Sequence, residues 1–390
     1  MPAVSVIIVS YKVRYYIEQC LDSVLRSVPD AEIFVVDNNS QDGSVEYLQQ
    51  KFPDITIIAN QDNAGFGRAN NMALAQATGQ YVLFLNPDTV VAENTIPGCM
   101  DFMQSHPQAG GLGVRMLYAN GQFALESRRS LPTPSVSFWH MTGLGRLFPN
   151  SRLFAKYHLT YLDERDVCGI EVISGAFMFI RREALCKTGG FDESFFMYGE
   201  DIDLSYRILQ QGYTNWYLPL PIIHYKGEST NKTSYSYARA FYNAMLIFFN
   251  KHFHKYSRLF AMLVWLVVSV RKLSTFVGQN LLAHRRKLTD YTENCIFVGP
   301  AQSYPAVSRI VSTSKYLRRL NHLECSAENC KYPDTEQLTD TQCVIFDMGA
   351  FQYTAVMDWM YRQAKGTRRY SIGFYNPKTG KLITQDETLC

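Results

Sequence analysis

The stretch VSVIIVSYKVRYYIEQCLDSVLRSVPDAEIFVVD, Val4–Asp37, decides the architecture. Its opening run carries almost no polar residue, as in a strand covered on both faces. RYYIEQCLDSVLRS then places Ile17, Cys20, Leu21, Val24 and Leu25 on one helical face. A second apolar run, AEIFVVD, closes on Asp37. Strand, helix and strand in such short succession form the repeat of a mostly parallel sheet with helices on both faces.

The rhythm continues through the next hundred residues. SVEYLQQKF predicts a short helix and ITIIAN a third strand. GFGRANNMALAQATG predicts a helix closed by Gly79, YVLFLNPD a fourth strand and AENTIPGCMDFMQSH another helix. Ligands of such sheets bind at the carboxyl ends of the strands. Three of those ends carry polar groups: Ser10-Tyr11, Asp37-Asn38-Asn39 and Asn86-Pro87-Asp88. Residues 124–169, with Pro132, Pro134 and Pro149, predict irregular structure wrapping one side of the site. VISGAFMFIRREAL then predicts a strand and a helix. FFMYGEDIDLSYRILQQG, Phe195–Gly212, begins a helix behind Gly199 with Glu200, Asp201 and Asp203 in its first turn.

Composition bounds the class. The chain has 390 residues, 47% hydrophobic, with a net charge of only +3, which does not suggest a nucleic-acid binder. Nine cysteines without a CxxC pair form neither a zinc pattern nor a disulfide framework, and reduced thiols in the cytoplasm are the simplest reading. The N-terminus runs straight into a strand, with no signal-peptide pattern. Residues 229–289 differ from the rest: ten Lys or Arg and no Asp or Glu, around the uncharged run LFAMLVWLVVSV, Leu259–Val270. That run is shorter than the roughly 20 residues needed to span a bilayer. Such a segment reads either as an interfacial membrane contact or as a buried helix with a basic exposed face. From about Asn294 a new strand–helix rhythm begins, without a GxGxxG or a catalytic cluster. The expected domains are residues 1–230, a basic amphipathic helical segment 231–290 and a small α/β unit 291–390.

Each candidate residue has two readings. Asp37, before Asn38, Asn39, Ser40, Asp42 and Gly43, closes an Asx turn or accepts a hydrogen bond from a nucleotide base. Asp88 is a turn acid or an oxygen ligand for a divalent ion, with Asn86 beside it. His224 is structural or, next to a metal, a ligand. Lys226, Ser229 and Thr230 follow it as phosphate contacts. Arg68 is a solvated arginine or, with Asn63, Gly65, Gly67 and Asn70, part of a ligand cradle. Asp201 starts a helix in keeping with the macrodipole, and Asp203 pairs with Arg207 one turn on. Yet three acids in four residues repel, which raises the pKa of one of them, as a general base requires.

Taken in order, VSVIIVSYK, FVVDNNSQDGS, NAGFGRANN, LFLNPDT, SGAFMFIRREAL, GGFDESFFMYGEDIDLSYRI and HYKGEST resemble the family 2 glycosyltransferases. The nearest branch is the rhamnosyltransferase-like enzymes that build O-antigen and other cell-surface glycans. The resemblance covers Val4–Thr230. It implies a GT-A fold, a nucleotide-diphosphate-sugar donor (a UDP or dTDP sugar), Mg²⁺ or Mn²⁺, and inversion at the anomeric carbon. The implied acceptor is a glycan or a polyprenyl-diphosphate-linked saccharide, met by a cytoplasmic protein peripheral at the inner face of the cell membrane. Carried over by residue, Asp37 contacts the base, and Ser10, Tyr11, Asn39, Asn63, Arg68 and Asn86 belong to the donor site. Asp88 and His224 hold the metal and diphosphate. Asp201 is the base, Glu200 an orienting neighbour and Asp203 an acceptor contact. The usual strand-end motif has two acids around one residue; here the first is Asn86, a form common in this branch.

Three other classes compete; one, a membrane-spanning processive synthase, calls for several apolar segments of about 20 residues, and the sequence shows none. A non-catalytic sugar-nucleotide-binding protein could dispense with Asp88 or Asp201, and both are present. A nucleotidyltransferase calls for a glycine-rich basic loop after the first strand, where this chain has SYKVRYY.

Overall fold

The structure, a computed structural model, describes residues 2–225, 235–253, 262, 293–325, 332–334, 337–366 and 369–390. The strands of the large sheet are β1 (Val4–Ser10), β2 (Glu32–Asp37), β3 (Thr56–Ala59), β4 (Tyr81–Leu85), β5 (Thr89–Val91), β6 (Ala109–Leu117), β7 (Cys168–Ile170), β8 (Phe177–Arg181) and β9 (Thr214–His224). The helices around it are α1 (Arg14–Ser27), α2 (Ser44–Lys51), α3 (Phe66–Leu74), α4 (Thr95–Ser105), α5 (Pro134–Met141), α6 (Leu144–Leu147), α7 (Arg182–Thr188), α8 (Glu200–Gln210) and α9 (Tyr235–His252).

The strand order is β3-β2-β1-β4-β8-β6-β9-β5, with β7 on β9. The first four strands are parallel, as the repeat in Val4–Asp37 requires; β8 then runs antiparallel to β4. Every residue of β1 is buried. Val4, Val6 and Ile8 pack on Ile17, Leu21 and Val24 of α1. Ile7 and Val9 point the other way, onto Ala69 and Ala73 of α3. A strand between two helix layers has no polar face, so its sequence shows no alternation.

Residues 293–390 build a second sheet: β10 (Glu293–Gly299), β11 (Leu317–Glu324), β12 (Cys343–Asp347), β13 (Ser371–Asn376), β14 (Lys381–Ile383) and β15 (Thr388–Leu389), with α10 (Tyr304–Ser312) and α11 (Tyr353–Ala364). Its order is β11-β10-β12-β13-β14-β15. The unit does not stand apart. Val90, Ala92, Leu117, Ile223 and Tyr225 of the first unit share one hydrophobic core with Val298, Phe346, Met357 and Met360 of the second. Buried Lys381 reaches Glu18 of α1 at 2.5 Å.

Two local expectations change. The helix from Phe66 ends at Leu74, and Gly79 is not its cap. Gly79 lies against β1, where its N–H donates to Ser5 Oγ and a Cβ would come within 2.5 Å of the Ser5 nitrogen. The helix expected over 307–320 stops at Ser312, and Leu317–Glu324 is a strand, because pairing with β10 satisfies its backbone. The expected basic segment lies mostly outside the described residues, as do Lys226, Ser229 and Thr230. Among the described residues no helix is long and apolar enough to cross a membrane.

Candidate active site

The carboxyl ends of β1, β2 and β4 open onto one cavity of about 300 Å³. Val9 and Tyr11 line it from β1, Asn38 from β2, Asn63, Gly65 and Phe66 from the start of α3, and Asn86, Pro87 and Asp88 from β4. Phe196, Met197 and Tyr198 close it from the loop before α8, and His224 from the end of β9. The walls are mostly apolar with a few convergent polar groups, the usual character of a small-molecule site.

Backbone pairing sets the polar pair at its floor. β5 runs antiparallel to β9 with Thr89 opposite His224, and Tyr225 N–H donates to the Asp88 carbonyl at 3.0 Å. His224 Nε2 therefore lies 3.4 Å from Asp88 Oδ1 and 3.4 Å from Asn86 Nδ2. His224 Nδ1 is buried without a protein partner. The described residues hold no group of three His, Cys, Asp or Glu side chains placed to bind a metal ion by themselves. A carboxylate and an imidazole still suit Mn²⁺, or Mg²⁺ through the carboxylate, when ligand oxygens fill the remaining positions.

Asp201 belongs to the neighbouring layer. Asn86 N–H donates to the Ala176 carbonyl at the β4–β8 junction, where Leu85 faces Phe177. One residue earlier, Gly175 N–H donates to Asp201 Oδ2 at 3.1 Å. Arg129 Nη2 donates to the same oxygen, and Ile202 N–H donates to Oδ1 at 2.8 Å. Burial acts against the charge of Arg129, but Asp201 and Tyr157 outweigh it and hold the guanidinium ionised. Arg129 was absent from the sequence candidates. Its only sequence signal is its place in a charged pair before Pro132, and 72 residues separate it from Asp201.

Glu200 is buried, and Oε2 has no partner. Burial, then the charge of Asp201, pushes its carboxyl up to about 8, which favours its neutral form. The raised carboxyl expected in this cluster is thus that of Glu200. Asp203 is corrected: it is not an acceptor contact. Its side chain is fully buried and bonded to Arg207, Lys251 and His252, which ties α8 to α9. Arg68 stands exposed on α3 and, like Asp201, Asp37 and Asn39, is not among the residues that line the cavity.

The remaining candidates sit around the cavity. Tyr11, Asn63 and Asn86 line it; Ser10 is buried one residue behind Tyr11, its hydroxyl unpartnered. Both Asp37 oxygens accept from Ser40, as in the turn reading. Asn39 takes a left-handed conformation, φ 61°, and Asn38 beside it reaches the cavity. Asn38 Nδ2 donates to the Gly65 carbonyl at 3.1 Å, which joins the β2 end to the start of α3.

The sequence model of glycosyl transferase family 2 matches residues 5–188. The chain carries a family 2 glycosyltransferase domain. The expected mostly parallel sheet with flanking helices is the large sheet described above. This domain is similar to the N-acetylglucosaminyl-diphospho-decaprenol L-rhamnosyltransferase of Mycobacterium tuberculosis, 29% identical over 258 residues, which cover 62% of this chain and 82% of that protein. It is also similar to the rhamnosyltransferase WbbL of Escherichia coli, 28% identical over 236 residues, 57% of this chain and 83% of that one. Among solved structures, a mannosyltransferase from Pyrobaculum calidifontis in complex with GDP-Man and Mn²⁺ aligns with a TM-score of 0.44 and 20% identity, over 64% of each chain. The glycosyltransferase match ends at Thr188, before Glu200, Asp201 and His224.

Proposed function

We propose that this chain is an inverting, metal-dependent glycosyltransferase of cell-surface polysaccharide synthesis. It moves a sugar from a nucleotide-diphosphate donor, UDP- or dTDP-linked, to a hydroxyl of a glycan or polyprenyl-diphosphate-linked acceptor. The observation that carries the reading is one junction: Asp88 and His224 on the cavity floor, and Asp201 held by Gly175 beside the same strand ends. The relatives named for rhamnosyl transfer onto a diphospho-decaprenol support the acceptor class.

Asp88 and His224 would hold Mg²⁺ or Mn²⁺. When bound, the cation neutralises charge on the leaving diphosphate. Asn38, Asn63 and the face of Tyr11 border the space for the nucleoside, with Asp37 behind Asn38. Asp201 takes the acceptor proton as the acceptor oxygen bonds to the anomeric carbon, while the carbon–oxygen bond to the diphosphate breaks on the opposite face. A carboxylate has about four lone-pair positions. Arg129, Gly175 and Ile202 occupy three, which leaves one on Oδ1 for the hydroxyl. Burial and the charge of Asp201 raise the Glu200 carboxyl, which limits the negative charge around the proposed base. The proposed place of action is the cytoplasmic face of the cell membrane, met peripherally.

The test offers purified protein a panel of nucleotide sugars with Mn²⁺, with and without chelator, and follows nucleoside diphosphate release. The expected result is release from one donor that chelation abolishes and Asp201→Asn reduces at least about 10²-fold. Binding of a nucleotide with no release from any donor, even with lipid-linked acceptors added, would favour the non-catalytic binding protein.

A further inference from the structure

Nine large apolar side chains stand exposed among the described residues, and four of them lie between Phe138 and Leu153. Leu147 is 72% exposed, Phe148 52% and Leu153 60%. They belong to the knob formed by α5, α6 and the turn after it. Its rings touch in sequence: Phe138 lies 4.9 Å from Trp139, Trp139 5.0 Å from Phe154, and Phe154 5.6 Å from Phe148. The apolar surface is therefore one ledge, not a scatter of single residues.

Its charge has one sign. No Asp or Glu occurs between Ser127 and Leu162, while Arg146, Arg152 and Lys156 are exposed beside the apolar residues. A protein-binding patch is depleted of charge at its centre and mixed at its rim. Exposed Leu and Phe on a segment whose own charges are all positive match the boundary of an anionic bilayer, where apolar side chains enter below the headgroups and Lys or Arg meet phosphates. The root of the knob leads to the catalytic carboxylate: Leu131 packs on Ile202, Phe248 and Phe249, and Arg129 pairs with Asp201.

We propose that the α5–α6 knob seats on the surface of a bilayer containing anionic phospholipid. Leu147, Phe148 and Leu153 enter the interface, and Arg146, Arg152 and Lys156 contact the headgroup phosphates. The seat turns the Asp201 side of the domain toward the membrane, where a lipid-linked acceptor presents its sugar. In this respect the proposal rests on the acceptor class proposed above, but its test reads binding and not turnover.

The full chain is sedimented with vesicles of phosphatidylcholine alone or mixed with phosphatidylglycerol. Wild type is expected to bind the anionic vesicles at least about tenfold more tightly, each basic residue contributing about fivefold. The triple variant Leu147→Glu/Phe148→Glu/Leu153→Glu is expected to lose at least about tenfold while keeping its melting temperature, since all three side chains are exposed. A charge-reversed basic segment, Arg285→Glu/Arg286→Glu/Lys287→Glu, is run in parallel. The proposal is overturned if the knob variant binds like wild type, whether or not the basic-segment variant has lost binding. Absence of binding by wild type to any vesicle overturns it too. So does a concentration-dependent dimer that the knob variant abolishes without vesicle binding, because the ledge then joins two copies. Donor turnover by the knob variant without vesicles is measured separately: if docking fails and turnover persists, only the docking proposal falls.

Discussion

Arg129 and Asp201 form an ion pair that joins the irregular chain before α5 to the first turn of α8, with side chains 13% and 14% exposed. Ile202 N–H holds one carboxylate oxygen, and Gly175 N–H and the guanidinium hold the other. Its own backbone is fixed in turn: the Arg129 carbonyl accepts from Val172 N–H at 3.0 Å, and Nη2 also donates to the Ile173 carbonyl. The proposed base is thus aimed by a segment that is otherwise short of regular structure.

Removing that aim is expected to slow the chemical step and leave donor binding in place. Arg129→Ala should lower kcat about 10²-fold with donor KM within about threefold, because misplacement of a reacting group by about 1 Å costs that much. Arg129→Lys, which keeps charge but not the planar fork, should recover only part of it. Steady-state kinetics check both; a donor KM that rises with kcat unchanged would contradict the assignment.

Two carboxylates of the α8 turn are expected to tilt stability with pH in opposite senses. Burial and Asp201 raise Glu200 from its usual 4.5 to about 8, so the folded state keeps a proton that the unfolded chain releases. Its contribution is full below about pH 4.5 and is lost as pH rises through about 8. For Asp203, burial opposes ionisation, but His252, Lys251 and Arg207 outweigh it and lower its pKa. Its contribution is present above its usual 3.8 and fades as pH falls below that. Thermal melts from pH 5 to 9 should show a decline in wild type that Glu200→Gln flattens.

Asp203→Ala should destabilise the protein by about 3 kcal/mol, since it strands the partly buried cations of Arg207 and Lys251 and removes the hydrogen-bond partner of His252. Guanidinium melts measure the loss, and protection of α9 amides should fall with it.

Gly65→Ala should damage both fold and site. Gly65 has φ 78°, and an added Cβ would lie 2.6 Å from the Phe196 carbonyl oxygen, which accepts from Phe66 N–H. With ψ 179° as well, this is a conformation essentially reserved for glycine, and an alanine there costs about 1–3 kcal/mol before the clash is counted. The melting temperature should drop, and donor KM should rise at least as much as kcat falls.

Glu93→Ala should loosen the second sheet from the first. Glu93 accepts from the N–H groups of Tyr353 and Thr354 and from Thr354 Oγ1, so a residue of the first unit caps α11 of the second. Loss of the cap should cost about 1–2 kcal/mol. Hydrogen exchange should quicken first in α11. An unchanged exchange rate there would mean that the shared core alone holds the units together.

Much of this was legible in the chain. The helix expected in RYYIEQCLDSVLRS is α1, residue for residue, and YTAVMDWMYRQA is α11. Both present apolar side chains at helical spacing to a sheet, so local pattern and tertiary burial agree. Asp88 and His224 were paired in expectation and are neighbours in space. β6, with AGGLGVRML, was not anticipated, since glycines weaken any strand signal. Its Gly110 and Gly111 are explained only by close approach of Tyr213, Ile208 and Ile173. Asp203 was misread for a related reason: sequence shows its partner Arg207 but not Lys251 and His252, which arrive from another helix.

The sequence by itself determined the parallel half of the sheet and the polar residues at its strand ends, because a strand buried on both faces and a helix buried on one leave different periodicities along the chain. Only the tertiary structure decided which acids are free to act. Charge and burial depend on neighbours far away in sequence: Arg129 claims Asp201, Lys251 and His252 of α9 bind Asp203, and burial raises the pKa of Glu200.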